Sequence, residues 1–244
     1  MILVCGEIFC SLDTFFVSGG FSSSERKAPD TKSVSRLHGN EENIMFSGIV
    51  ECIGQILNVI EIDGCKQLTI APAIAFTDLN IGDSVAINGV CLTITQFDEK
   101  SFQVQIVPET LRLTNLGHLE VGHLVNLERS ITLQTRIGGH HVQGHVDGVG
   151  IITDIKNDNG SALLVTISVP ENIAHFIVKK GYVTLDGMSI TIVDVGQNWF
   201  TVTLIPHTQD VTIVKRYQLQ QAVNIEVDIL GKYIDKWLQP SLAK

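Results

Sequence analysis

The sequence predicts an all-β protein: two homologous β domains, each a barrel or sandwich, followed by a short C-terminal helix. Three observations carry this. From Met45 onward, short runs of alternating apolar and polar residues are broken by Gly, Asn and Asp at intervals of about ten residues, the mark of closely spaced strands. Residues 84–130 align with 182–228 at a constant offset of 98 without a gap, and 12 of those 47 positions are identical. Chance would give about three at typical residue frequencies. Over 229–238 the apolar period changes from that of a strand to that of a helix.

Taken in order, residues 1–44 stand apart. MILVCGEIFC is apolar but lacks a basic leader region and carries Glu7, which argues against a secretory signal. Residues 18–43 are rich in Ser, Gly and charges of both signs around Pro29, and read as disordered or loosely attached. Glu25, Asp30, Glu41 and Glu42 argue against a transit peptide. The pattern restarts at Met45, so the extension is expected to be a misassigned start or to swing clear of the body.

The body divides at about 140, into 45–140 and 141–228, with 229–244 as the helical end. Strands are expected at 46–53, 67–71, 84–87, 91–97, 101–107 and 124–129, repeating in the second half, with helical turns near 109–113 and 171–178. The repeat pairs Gly89 with Gly187, Thr93 with Thr191, Pro108 with Pro206, Asn126 with Asn224 and Glu128 with Glu226. MFSGIVECIG from Met45 lies over HVQGHVDGVG from His141 at an offset of 96. In the terminal helix, Ile229, Leu230, Tyr233, Ile234, Trp237 and Leu238 form one apolar stripe opposite Lys232, Asp235 and Lys236. That stripe packs either on the chain's own barrels or on another subunit.

Composition narrows the class. Hydrophobic content of 44% with 18% charged residues is ordinary for a globular chain. A formal charge of −9 disfavours nucleic acid and anionic membrane surfaces as partners. No apolar run reaches the roughly 18–20 residues of a membrane span. The five cysteines (Cys5, Cys10, Cys52, Cys65, Cys91) are odd in number and contain no CxxC pair, which points to a reducing, cytoplasmic setting.

The central phrase occurs twice, as NGVCLTIT at 88–95 and DGMSITIV at 186–193. Strand side chains alternate, so Cys91 and Thr93 share one face and Leu92 and Ile94 the other; Ser189 and Thr191 oppose Ile190 and Ile192 in the second copy. The small polar groups can line a pocket, or simply suit a solvent-facing strand. In IGGHHVQGHV, His141 and His145 are four apart, which suits a metal only on a helix; in extended chain they lie about 13 Å apart. No metal site is expected, and a His acting as donor or base is the better reading. Cys91 is either a nucleophile or a structural thiol; no nearby residue supplies the base that a nucleophile requires. PETLRLTNLG at 108–117 and PHTQDVTIVK at 206–215 each follow a strand with a Pro, then offer Thr hydroxyls and free backbone groups. Asp228 is a carboxylate partner for a His or a ligand hydroxyl. There is no phosphate-binding loop, dinucleotide fingerprint, HExxH or serine elbow.

Taken together, MFSGIVE, NGVCLTIT, PETLRLTNLG, VNLERS, IGGHHVQGHV, DGMSITIV and VNIEVD resemble riboflavin synthase of the trimeric α-chain type, over about 45–235. The resemblance implies two six-stranded Greek-key barrels, called lumazine-binding repeats, and a C-terminal helix that holds a homotrimer. It implies a transferase that dismutates two molecules of 6,7-dimethyl-8-ribityllumazine. One passes four carbons to the other, giving riboflavin and 5-amino-6-(D-ribitylamino)uracil with no cofactor. It also implies a site between the N-barrel of one subunit and the C-barrel of its neighbour, and a functional association with lumazine synthase.

By the same resemblance, the first pocket comprises Phe46, Gly48, Ile49 and Val50, then Cys91, Leu92 and Thr93, then Gln105, Ile106, Val107, Pro108, Glu109 and Thr110. The second comprises Gly144, His145 and Val146, then Lys180, Ser189, Ile190 and Thr191, then Ile205, Pro206, His207, Thr208, Gln209 and Asp210. Ser84, Cys91, His145, Ser189 and Asp228 match the candidate proton-handling positions. His207 replaces an acidic residue and Ser47 a threonine of the family pattern. The rival reading is a non-catalytic lumazine or flavin carrier of antenna type. A flavin reductase domain is disfavoured because no nicotinamide-binding half follows.

Overall fold

The computed structural model describes residues 45–158 and 160–242, with side chains described through Leu238. The extension at 1–44, expected to be disordered or misassigned, lies outside the described residues, as do Cys5 and Cys10.

The first barrel consists of β1 (Cys52–Ile62), β2 (Cys65–Pro72), β3 (Ser84–Ile87), β4 (Val90–Phe97), β5 (Phe102–Ile106) and β6 (Leu124–Arg129). It closes in the order β1-β2-β5-β4-β3-β6. The helix α1 (Pro108–Leu113) and a single 3₁₀ turn connect β5 to β6. The second barrel consists of β7 (Gly148–Asp158), β8 (Ala162–Ser168), β9 (Tyr182–Leu185), β10 (Met188–Val195), β11 (Trp199–Leu204) and β12 (Ala222–Val227). α2 (Glu171–Ala174) and α3 (Pro206–Val211) are its connecting helices, and α4 (Ile229–Leu242) follows. Its circular order is β10-β11-β8-β7-β12-β9, the same path as the first barrel once equivalent strands are matched. Every strand pair is antiparallel, as hairpin-rich sequence requires.

Local chemistry explains the turns and the closure. Ile87 pairs with Val90, so Asn88 (φ 46°) and Gly89 (φ 77°) form a two-residue turn with both φ positive. Asp186 (φ 44°) and Gly187 (φ 83°) do the same between β9 and β10. Such turns match strand twist and favour Asn-Gly and Asp-Gly. Register shifts at Ile94/Gln96 and Ile192/Asp194, and at Ile56/Asn58 and Ile152/Asp154, occur at equivalent places in the two barrels. A bulge bends a strand, which lets six strands close. The alternating apolar residues then fill each barrel, with Leu68, Ile70, Phe102 and Val104 in one and Ile167, Phe200, Val202 and Ile225 in the other.

The barrels meet on a pseudo-twofold axis at these two turns. A Cβ on Gly89 would stand 2.6 Å from Gly187 N, and one on Gly187 would stand 2.9 Å from Gly89 N. Two asparagines lock the contact reciprocally: Asn126 Nδ2 donates to Asp186 O (2.8 Å) and Asn224 Nδ2 donates to Asn88 O (2.9 Å). The network is not symmetric throughout. Asp186 is fully buried and accepts from Asn224 N, Asn115 Nδ2 and Tyr217 Oη, while Asn88 stands in its place in the first half. Burial raises the Asp186 carboxyl to about 6 despite these donors.

Two expectations need correction. The alternation predicts a first strand at 46–53, yet β1 begins at Cys52 and runs to Ile62. Residues 46–50 leave the barrel, because Phe46 bridges to Val142 of the other repeat and Gly48 turns with φ 74°. The 171–178 helical turn shrinks to Glu171–Ala174. α4 extends the predicted 229–238 helix to Leu242 and lies against the second barrel through Lys232–Asp147 (2.7 Å) and His175–Asp235 (3.0 Å). Its stripe of Leu230, Tyr233, Ile234, Trp237 and Leu238 is exposed.

Candidate functional site

The twin strands alternate as their sequences require. Leu92 and Ile94 are buried, with Cys91 half-buried and Thr93 exposed on the opposite face. In β10, Ile192 is buried, Ile190 and Ser189 are half-buried and Thr191 is exposed. Antiparallel pairing places Ser84 beside Thr93 and Tyr182 beside Thr191. Each barrel therefore presents a short surface of small polar groups over an apolar floor.

The entry segments join these surfaces crosswise. Gly48 O accepts from Ser189 N at 2.8 Å, and Gly144 O accepts from Cys91 N at 2.9 Å. Val50 packs against the second core and Val146 against the first. The expected grouping of Gly48–Val50 with Cys91, and of Gly144–Val146 with Ser189, is thus exchanged within the chain. Positive φ and contact explain the glycines: a Cβ at Gly48 would lie 2.6 Å from Ser189 Cβ, and one at Gly144 would lie 2.5 Å from Cys91 Cβ. Phe46 is fully buried between the halves, with Ala86, Val142 and Cys91 around it.

Around Ser189 the structure assembles groups that the sequence did not single out. His140 Nδ1 lies 2.7 Å from Ser189 Oγ, and its Nε2 lies 3.3 Å from Thr184 Oγ1. Its ring stacks on Tyr182 with centroids 5.2 Å apart. Gly139 permits this closure, since a Cβ there would stand 2.6 Å from Ser189 Cβ. Burial holds the His140 imidazole below its ordinary pKa, and the negative charge of Asp228 partly opposes that. A neutral imidazole between two hydroxyls can accept or relay a proton near neutrality. Position 184 is Thr where its counterpart, position 86, is Ala, so the Thr184 hydroxyl of this trio has no counterpart in the first repeat.

The other predicted residues are spread more widely. Asp228 Oδ1 accepts from Leu230 N (3.0 Å), capping α4. His145 is exposed; partial desolvation lowers its imidazole first, with Lys232 acting in the same direction. Lys180 takes φ 66° and its backbone bonds Ile192 O.

Gln105 and Ile106 end β5 with Ile106 in the core, whereas Val107 is exposed and Pro108 opens α1. At 108–110 and 206–208, where free backbone groups are expected, each short helix begins without a side-chain cap, so its first-turn amides have no acceptor within the helix. Thr114 Oγ1 donates to Thr110 O and Thr212 Oγ1 to Thr208 O. Glu109 pairs with Arg112 and Asp210 with Lys215, and Gln209 Nε2 donates to Ser161 O and Leu204 O. Ile205, Pro206 and His207 are exposed at the start of α3.

Glu128 and Glu226 were visible only as repeat identities. Both are buried at strand positions, and burial raises each carboxyl to about 7 against the lowering pull of backbone donors. Glu128 holds Ser47 and Gly48, and Glu226 holds Gln143 and Gly144. An open groove of about 650 Å³ also lies on the pseudo-axis, lined by Asn88, Asn115, His118, His123 and Arg216 among others, and none of the predicted site residues borders it. Among the described residues, no group of three or more His, Cys, Asp or Glu side chains is placed to hold a metal, and no helix is long and apolar enough to cross a membrane.

Comparison with known proteins agrees with this architecture. The lumazine binding domain model matches residues 47–130 and again 143–228. Riboflavin synthase of Schizosaccharomyces pombe is 43% identical over 201 residues, spanning 82% of this chain and 96% of that protein. The Bacillus subtilis riboflavin synthase is 39% identical over 194 residues (80% and 90%), and that of Mycobacterium tuberculosis 38% over 200 residues (80% and 98%). Among solved structures, LumP complexed with riboflavin superposes with a TM-score of 0.68 at 22% identity, over 75% of this chain and 100% of that one. LumP complexed with 6,7-dimethyl-8-(1'-D-ribityl) lumazine gives 0.66 at 23% identity, over 75% and 99%. This chain belongs to the riboflavin synthase family, built on a duplicated lumazine-binding domain.

Proposed function

We propose that this chain dismutates two molecules of 6,7-dimethyl-8-ribityllumazine, one giving a four-carbon unit to the other, to form riboflavin and 5-amino-6-(D-ribitylamino)uracil. The observation that carries the reading is the in-register repetition of one polar-faced strand, β4 and β10, on two barrels of the same path. A reaction between two identical molecules requires two related binding surfaces, and holding both partners oriented supplies much of the acceleration. No metal or redox cofactor is called for.

In this reading Cys91–Thr93 and Ser189–Thr191 floor the two pockets, with the entry segments and the 105–110 and 205–210 stretches at their margins. Ser84, Cys91, His145, Ser189 and Asp228 handle protons, and His140 joins them as the partner of the Ser189 hydroxyl. The chemical difference between Cys91 and the Ser189–His140–Thr184 group makes one pocket suited to donate and the other to accept.

The exposed stripe of α4, Leu230 to Leu238, supports assembly as a homotrimer, with each site shared between the N-barrel of one subunit and the C-barrel of its neighbour. A cytoplasmic setting and a functional association with lumazine synthase belong to the same reading. The test is incubation of the purified protein with the lumazine as sole reactant. Riboflavin fluorescence should rise, with two lumazines consumed per riboflavin. Saturable binding without turnover would overturn the enzyme reading in favour of an antenna-type carrier.

A further inference from the structure

The last strand of each barrel carries a buried glutamate that grips the entry segment of its own repeat. On Glu128, Oε1 accepts from Ser47 N (2.7 Å) and Ser47 Oγ (2.9 Å), and Oε2 accepts from Gly48 N (3.1 Å). On Glu226, Oε1 accepts from Gln143 N (2.7 Å) and Oε2 from Gly144 N (2.9 Å). The same two glycines turn their carbonyls the other way, to Ser189 N at 2.8 Å and Cys91 N at 2.9 Å. Each segment is therefore a bridge, with a carboxylate of one barrel on one side and the pocket strand of the opposite barrel on the other.

We propose that Glu128 and Glu226 are positioning residues for the reaction, and that each acts on the opposite barrel's pocket. Glu128 sets the Ser189 strand, and Glu226 sets the Cys91 strand. The inference rests on the functional reading above and adds the direction of control.

Three features support it. Contact between Gly48 and Ser189, and between Gly144 and Cys91, leaves no room for the segments to move inward. Among the described residues, the carboxylates supply the side-chain bonds to these backbone amides, and with the backbone pairing of Phe46 and Val142 they oppose outward movement. A glutamate inside an apolar strand is costly to bury unless its acceptor sites are used, and both copies use two or more. The clamps are unequal as well, because Ser47 adds a hydroxyl bond to Glu128 where Gln143 adds none to Glu226.

The test blocks one pocket at a time. Thr93→Trp fills the exposed face of β4 and Thr191→Trp that of β10, leaving one lumazine site in each full-length chain. In the Thr191→Trp chain, Glu226→Gln should weaken lumazine binding about tenfold, because the amide NH2 leaves one buried backbone donor without an acceptor, while Glu128→Gln leaves it unchanged. In the Thr93→Trp chain the pattern should reverse. If each glutamine weakens only its own barrel's site, or both sites equally, or neither, the proposal is overturned. Where a glutamine variant does not fold, Ser47→Ala removes one of the three bonds to Glu128. It should weaken the Ser189 site a few-fold and spare the Cys91 site; the opposite pattern, or no change, overturns the proposal. Absence of lumazine binding by the unmodified chain would overturn the functional reading itself, which separates that failure from this one.

Discussion

Gly89→Ala should destabilise the protein sharply, because position 89 combines two constraints. Its φ of 77° is a left-handed conformation, which costs an L-residue with a Cβ about 1–2 kcal/mol. The added methyl would also stand 2.6 Å from Gly187 N and 3.0 Å from Gly187 Cα, both backbone atoms that cannot rotate away. Overpacking of that kind costs about 1–3 kcal/mol. The sum is about 2–5 kcal/mol, and for a cooperative unit of this size each kcal/mol moves the midpoint by about 2–4 °C. Gly82→Ala is the control, since its φ of 96° carries the backbone strain but nothing lies within 4 Å of the new methyl. Thermal unfolding followed by far-ultraviolet circular dichroism should place Gly89→Ala about 1–3 kcal/mol below Gly82→Ala. Gly187→Ala should lie between them, because its closest contact is 2.9 Å. Equal midpoints for Gly89→Ala and Gly82→Ala would refute direct packing of the two turns on the pseudo-axis.

Glu128 and Glu226 have folded-state values near 7 against an ordinary 4.5, so the folded chain binds their protons more tightly than the unfolded chain. Their contribution is complete below pH 4.5 and is lost as pH rises through 7, by about 3 kcal/mol each. Ser47, Gly48 and Ile49 donors face Glu128; Gln143 and Gly144 donors, Lys232 and Asp147 face Glu226. Urea unfolding across pH 5–8 should show that loss in the native chain and less of it in Glu128→Gln; an unchanged slope contradicts the assignment. His140→Gln, His145→Gln and Asp228→Asn should each lower turnover by about a hundredfold or more, within the usual ~10²–10⁴ range for acid–base groups, with smaller loss of lumazine affinity. Equal losses of both would argue that these residues only bind. Trp237→Asp, at a side chain 77% exposed, should convert the assembly to monomers by light scattering; a native chain that is monomeric at all concentrations would contradict the helix-mediated trimer.

Much of the fold was legible because the barrel cores rely on simple alternation. NGVCLTIT and DGMSITIV reveal both the strand and the type of turn, since only residues tolerant of positive φ occupy 88–89 and 186–187. The repeat then makes the second barrel follow from the first. Local pattern could not show where the entry segments go. MFSGIV alternates like a strand, and it does pair, but with the other repeat through Phe46 and Val142. That partner lies 96 residues away, beyond the reach of any window. The same limit hid His140: spacing drew attention to His141 and His145, whereas the stacked and hydrogen-bonded ring is their neighbour. Glu128 and Glu226 are visible in the sequence as an acidic position repeated two residues after the repeated Asn126 and Asn224. Their clamping role needed the crosswise contacts.

The central claim is that the reacting pair is held by two different pockets from neighbouring chains. Mixing two individually inactive proteins, Thr93→Trp and Thr191→Trp, tests it most directly. After subunit exchange in the proposed closed cyclic trimer, an intact N-pocket meets an intact C-pocket at about one interface in four. Riboflavin synthesis should therefore recover to about a quarter of the native rate. A mixture that stays inactive after demonstrated exchange, or single variants that retain full activity, would contradict the account.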